Sequence, residues 1–284
     1  MPEASLDTDD VVSMYELAFS SHRQRWEQEG HRSYAHGYYE TGEEAADEAV
    51  EAMVKQVASV VDIDESDRVL NLGSGVGDDA IWVARTTGAS VVGVNVHDRQ
   101  LELAREFALE AGVDDRVSFR YDDFHELETV EADSFDVVWG LEALCHSADD
   151  ARVVREAARV LDDDGRLVFA DLFCRRSQVT DAEASRLEKL YDAWDVRYDP
   201  VDELEAALED QGFRDVGVRE VTDAVRPSIE HDYRMSLYGY PYYRVMSALG
   251  RADRRLADIS IGAYHCQKLF ESGLLGYYFV SGKR

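Results

Sequence analysis

The sequence predicts an α/β fold built on a parallel sheet with crossover helices, and two observations predict it. From residue 68 to about 171, short β-branched runs alternate with stretches of helical periodicity. The first of those runs leads into Gly73-Ser74-Gly75-Val76-Gly77, a glycine-rich turn from strand into helix.

The elements follow in order. Residues 10–60 read as helix-rich, interrupted by a loop at Ser33-Tyr34-Ala35-His36-Gly37-Tyr38-Tyr39. Strands are predicted at Arg68 to Leu72, Ser90 to Val94, Val117 to Tyr121, Phe135 to Trp139 and Arg166 to Ala170. Between them, Leu101, Ala104, Ala108 and Ala111 keep helical spacing, as do Ala151, Val154, Ala158 and Leu161. Gly88, Gly112 and Gly165 stand where helices or turns should end. Asp202 to Gln211 reads as a further crossover helix, Val216 to Val221 as a weak strand and Leu274 to Val280 as a closing strand. The helical, Tyr- and Arg-rich stretch 223–272 is then an insertion placed to act as a lid. This divides the chain into a helical segment 1–60 covering the site, a ligand-binding domain 61–222, the lid 223–272 and a closing strand 273–284.

Composition narrows the function. Fifty-nine acidic residues oppose 30 basic ones for a net charge of -29, and Lys55, Lys189, Lys268 and Lys283 are the only lysines. The acids are spread along the whole chain, which describes a solvated acidic surface rather than an interaction tail. Such a surface repels itself in dilute buffer and is relieved at molar salt, where the screening length falls to about 3 Å. In this it resembles proteins of extreme halophiles. Nucleic acid is disfavoured as a partner because phosphate backbones need clustered Lys and Arg. No apolar run is long enough to span a membrane, and the start is acidic, so a cytoplasmic protein is expected. Cys145, Cys174 and Cys266 are odd in number and far apart, which suggests neither a disulfide framework nor a metal site.

The glycine turn carries the chemistry. A dinucleotide-binding turn would place a third glycine at 78, but Asp78 and Asp79 open the helix and would repel a pyrophosphate. The same acids suit the helix dipole if the ligand carries no phosphate. Val69-Leu70-Asn71-Leu72-Gly73-Ser74-Gly75-Val76-Gly77 resembles the first motif of class I S-adenosylmethionine-dependent methyltransferases, with Asn71 where that family usually has an acid. The resemblance implies a Rossmann-like, doubly wound sheet of the seven-stranded methyltransferase type and S-adenosylmethionine as cofactor. It also implies that Asn71, Gly73, Ser74 and Gly75 hold that cofactor. Asn95 and Gln100, five residues apart after the second strand, match the ribose-binding pair of sterol- and tocopherol-type relatives. Tyr121-Asp122-Asp123-Phe124 matches the adenine-recognising motif, with Asp122 at the main acidic position.

Phe135-Asp136-Val137 through Glu142 and His146 resembles the F-D-x-V-x-x-x-E-x-x-x-H segment of sterol, quinone and tocopherol methyltransferases. Glu142 and His146 lie four apart at a strand end and are the candidate catalytic pair, positioning substrate or moving a proton. Asp171, ending the fifth strand, is a further candidate for the pocket wall. Gly37, Tyr38 and Tyr39 match the H-x-G-Y-[WYF] stretch of the lipid-type relatives, which adds Tyr39 to the cofactor set; the expected His position is Ala35, with His36 displaced by one. Tyrosines at 34, 38, 39, 233, 238, 240, 242, 243 and 264 supply aromatic faces suited to packing, to a sulfonium or to a cationic intermediate.

The expected activity is methyl transfer to a small apolar acceptor such as an isoprenoid, quinone or prenylated ring. N-methylation of a small amine, for example an osmolyte precursor, is the alternative. A non-catalytic S-adenosylmethionine-binding protein is the alternative outside the enzymes, and a homo-oligomer is compatible with either.

Overall fold

Strand β1 (Arg68–Leu72) shows how the core is divided: its alternating side chains send Val69 and Asn71 to one face of the sheet and Leu70 and Leu72 to the other. A computed structural model describes residues 6–29, 31–33 and 35–284. Seven strands form one mixed sheet in the order β3-β2-β1-β4-β5-β7-β6. The others are β2 (Ser90–Asn95), β3 (Val117–Tyr121), β4 (Phe135–Leu141), β5 (Leu161–Cys174), β6 (Arg214–Glu220) and β7 (Leu275–Lys283). Neighbours among β1 to β5 pair in parallel, whereas β7 runs antiparallel between β5 and β6.

Helices α1 (Thr8–Glu29) and α2 (Ala46–Val61) precede the sheet. The crossovers are α3 (Asp78–Thr87), α4 (Asp98–Ala111) and α5 (Asp150–Val160), then α6 (Asp181–Trp194) and α7 (Val201–Asp210) before β6. Helices α8 (Thr222–Ala248) and α9 (Arg255–Glu271) form the insertion before β7. Met53 of α2, Ala80 of α3 and Leu101 of α4 pack with Val69 and Trp139 on one face; Val154 of α5 and Leu208 of α7 pack with Leu70 and Phe169 on the other. Covering both faces explains why these strands read as near-continuous apolar runs. Among the described residues, no helix is long and apolar enough to cross a membrane.

The structure extends or corrects several expected elements. Strand β5 starts at Leu161, not Arg166, because Leu161 pairs with Phe135 and the register jumps to Arg166 opposite Val137. Asp164 has φ 65 within that excursion. Helix α6 was not anticipated, although Thr180 and Glu183 form a reciprocal capping box at its start. Gly88 and Gly112 do end α3 and α4 with left-handed backbone. Tyr34 lies outside the described residues.

Register positions the site. Leu72 is level with Val94 of β2 and with Gly140 of β4, so the three C-terminal strand ends finish together. The sheet order reverses between β1 and β4, and ligands of open α/β sheets bind in the crevice at such a point.

Candidate active site

The crevice is a partly open cleft lined by the turn after β1, the ends of β2 and β4, the loop after β3, and α1. Gly73 has φ 65 there, and a Cβ on it would lie 2.8 Å from Ala143 Cβ, so the turn can pass beneath the β4 loop only without a side chain. Gly75 follows at φ 52. Between them Ser74 is buried, its N–H donating to the Val94 carbonyl at 3.0 Å while its Oγ has no partner among the described residues. A buried hydroxyl left so in a cleft wall is a ready contact for a polar ligand.

Asn95 and Gln100, which the resemblance assigns to the cofactor's ribose, are in contact with each other at the cleft. The Asn95 amide donates to Gln100 Oε1 at 2.8 Å, and both residues line the cleft. Gln100 therefore offers its NH₂ group to a ligand's oxygen.

The acidic pair after β3 is reversed from the expectation. Asp122 turns away from the cleft and holds its own loop, accepting from Glu128 N at 3.1 Å, Thr129 N at 2.7 Å and Thr129 Oγ1 at 2.5 Å. Asp123 is the acid in the wall, beside Phe124. It accepts from His125 N and Nδ1 at 2.8 and 2.7 Å. Burial alone would raise its pKa, but those two donors outweigh burial and hold Asp123 below the ordinary carboxylate value.

Asn71 also departs from its expected place. As a β1 residue of odd register it points at α3, not into the crevice, and it does not line the cleft. Its amide donates to Asp79 Oδ2 at 2.6 Å, where Trp139 Nε1 donates as well at 3.1 Å. Asp79 does line the cleft, and burial, only partly offset by those donors, pushes its pKa up to about 6. The acid expected at the end of β1 is thus supplied from the first turn of α3. Tyr39 too lies outside the cleft wall: its N–H is tied to the Ala224 carbonyl at 2.9 Å, which holds this stretch against α8.

Glu142 and His146 line the same cleft, but each has its own partners. Glu142 sits at φ 49, uncommon for a residue with a side chain. Its Oε1 accepts from His36 N at 2.8 Å and from Tyr277 Oη at 2.9 Å, and His36 Nδ1 lies 2.9 Å away. The displaced His36 therefore stands behind the cleft wall, bridging Glu142 and, at 4.0 Å, Asp232. His146 sits on a single 3-10 turn, Leu144–His146. Its Nδ1 is 2.8 Å from the Asp195 carbonyl, which can only accept, so Nδ1 carries the proton and Nε2 holds a lone pair. The Tyr15 hydroxyl donates to that lone pair at 3.0 Å. Burial lowers the His146 pKa, against the Asp195 carbonyl and the Glu142 charge that raise it, so the ring is neutral at neutral pH.

Sequence reasoning missed Tyr15, which no motif announces, and Asp79, whose role follows from the register of Asn71. Asp171 lies beneath the site, its carboxylate accepting from Cys145 N at 2.9 Å and Leu172 N at 2.7 Å. Burial and the Glu142 charge push its pKa up to about 8. No residue of α8 or α9 lines the cleft, and it is α1 that covers it, through Thr8, Val11, Val12 and Tyr15.

These features fit S-adenosylmethionine. The side-chain-free turn at Gly73, the unpartnered Ser74 hydroxyl, the Asn95–Gln100 amides and the wall acids Asp79 and Asp123 provide space, donors and negative charge for an uncharged nucleoside and a cationic tail.

A family model described as a methyltransferase domain matches residues 63–211. The 27-O-demethylrifamycin SV methyltransferase of Amycolatopsis mediterranei is 36% identical over 194 residues, 68% of this chain and 71% of that protein. Methyltransferase GfsG of Streptomyces halstedii is 37% identical over 182 residues, 64% and 65% of the two chains. Among solved structures, the [4+2]-cyclase SpnF superposes with a TM-score of 0.81 at 22% identity, covering 100% of this chain and 98% of that one.

Proposed function

The chain belongs to the S-adenosylmethionine-dependent methyltransferases, and from that premise we propose that it methylates a hydroxyl of a small, largely apolar molecule of isoprenoid, quinone or prenylated-ring character. The observation that carries this reading is His146: a neutral imidazole whose Nε2 lone pair already receives a hydroxyl, that of Tyr15, inside the cleft. A relative whose name places the missing methyl on an oxygen supports it.

Bound in the cleft, S-adenosylmethionine supplies an electrophilic methyl on a sulfonium. The chain's own residues do the rest. Gly73 to Gly75, Ser74, Asn95, Gln100, Asp123 and Phe124 hold the cofactor, and Asp79 provides negative charge for its cationic end. His146 Nε2 takes the proton from the acceptor oxygen, directly or through the Tyr15 hydroxyl, while Nδ1–H stays on the Asp195 carbonyl and fixes the ring. Glu142, held by His36 and Tyr277, fixes the other wall. Helix α1 excludes water, which matters because transfer from a sulfonium depends mainly on alignment and a dry site. The acid-rich surface supports a salt-loaded cytoplasm as the place of work.

The test is incubation with methyl-labelled cofactor and two acceptor sets: hydroxylated isoprenoids and quinols, and small amines such as glycine and sarcosine. Label recovered in the organic phase as a methyl ether is the expected result. Label confined to the aqueous amines would overturn it in favour of N-methylation.

A further inference from the structure

Among the described residues, no element covers an apolar face on the C-terminal half of α8. Met235, Tyr238, Tyr242, Val245 and Leu249 each keep 57% to 77% of their surface exposed. Their spacing alternates three and four residues over four helical turns, the repeat of a helix seam made to meet another helix. Helix α9 packs on α8 from another side, where Tyr264 stacks on Tyr233.

Charge marks the same place. Residues 233–252 contain no Asp or Glu, whereas at the chain's mean density of 59 acids in 284 residues such a stretch would hold about four. On a protein of net charge -29, two copies can approach most readily where neither presents acid.

The geometry points to self-association through this face: two copies pair their α8 helices antiparallel across a two-fold axis at Tyr242. The seam is nearly symmetric about that residue, a requirement of an isologous interface. It sets Met235 against the partner's Leu249 and the large Tyr238 against the partner's smaller Val245, so that volumes complement. Arg244 then falls opposite the partner's Tyr240, repeating the approach of Arg244 to Tyr240 within one chain, 5.8 Å from the ring centre.

The area is sufficient. The five seam residues together expose on the order of 600 Å² per copy, the upper end for an apolar patch on a monomer. Two copies would bury about 1,200 Å², the lower end of specific interfaces, so a concentration-dependent dimer is expected. Salt should strengthen it, because the seam is apolar and the surrounding acids repel.

Sedimentation of the full chain across 1–100 µM in dilute and in molar KCl reads the assembly. Twice the 32.1 kDa chain mass is expected, with tighter association at molar salt. Tyr238→Asp with Val245→Asp should return the monomer while S-adenosylhomocysteine affinity and the circular dichroism spectrum stay unchanged. Should that variant fail to fold, Tyr242→Cys supplies the reading: a cysteine on the axis cross-links to itself under mild oxidation, whereas Leu237→Cys does so far more slowly. A wild-type monomer at molar salt, a dimer that survives the double substitution, or equal cross-linking at both positions would overturn the proposal. So would a monomer that co-sediments with phosphatidylcholine vesicles through this face, which would assign the face to lipid.

Discussion

The side-chain amide of Asn71 donates to Asp79 at 2.6 Å, so the carboxylate in the cleft wall is delivered by α3 and steadied by β1. An acid at position 71 would set two buried carboxylates against each other. Asn71→Asp should therefore destabilise the ligand-free protein at pH 8 by roughly 3 kcal/mol, as an uncompensated buried charge does. Most of that loss should return by pH 5, where the pair shares protons. Melting temperatures at the two pH values check it, and a variant as stable as wild type at pH 8 would sever the link between Asn71 and Asp79.

A second prediction concerns the unaltered ligand-free protein. Burial, the largest cause in each case, pushes Asp79 up to about 6, Asp150 to about 7 and Asp171 to about 8. Folded pKa values above the unfolded ones mean that protonation favours the native state. That contribution is complete below the unfolded carboxylate value and is lost as pH rises through 6 to 8. Glu183 works in the other direction: burial opposes it, but the Arg176 and Thr180 contacts hold it at about 2, so its stabilisation is lost only as pH falls from its unfolded value toward 2. The melting temperature should fall between pH 5.5 and 8.5, and a flat or rising profile would contradict the buried acids.

The sheet was largely legible because strands covered on both faces need apolar residues at nearly every position, and this pattern survives in a single sequence. Asn95 and Gln100 were placed at the strand end and the next helical turn by resemblance alone, and their hydrogen bond to each other follows from that short offset. Orientation within a strand was harder. Asn71 belongs to the motif, yet register turns it to α3; Asp122 and Asp123 are adjacent, and only the fold of their loop decides which one faces the cleft. Tyr15 reaches His146 across 131 residues of chain, a contact that no local spacing encodes.

Salt should act on the whole molecule. Dispersed acids giving a net charge of -29 repel within the folded state, and molar KCl screens them to within about 3 Å. Stability should rise steeply from dilute buffer to molar salt, measured by denaturation at fixed protein concentration. Equal melting temperatures at both ends would refute a salt-dependent fold.

Gly75 lies in the turn at φ 52 and lines the cleft. Gly75→Val should abolish S-adenosylmethionine binding by filling the cofactor's approach. It should also cost about 1–3 kcal/mol, because a β-branched residue is strained at that φ. Calorimetric titration of the folded variant is the measurement, and an unchanged affinity would remove the turn from the cofactor site.

The separation of His146 from Glu142 yields the sharpest catalytic prediction. His146 has the lone pair and the lowered pKa of a base, whereas Glu142 is tied to His36 and Tyr277. His146→Ala should lower turnover by about 100-fold to 10,000-fold, the usual range for a lost general base. Tyr15→Phe keeps the ring and removes only the hydroxyl, so it should cost less than His146→Ala. S-adenosylhomocysteine affinity should stay within a few fold in both. Wild-type turnover should rise with pH through a value below that of free imidazole, as His146 loses its second proton, and be level by neutrality. His146→Ala should remove that ascending limb. Glu142→Gln retains an acceptor for His36 and Tyr277 but not the charge, and should leave the limb in place. If the limb instead vanishes with Glu142→Gln and persists with His146→Ala, the proton leaves through Glu142 and His36, and Tyr15 with His146 serves only to hold α1 over the cleft.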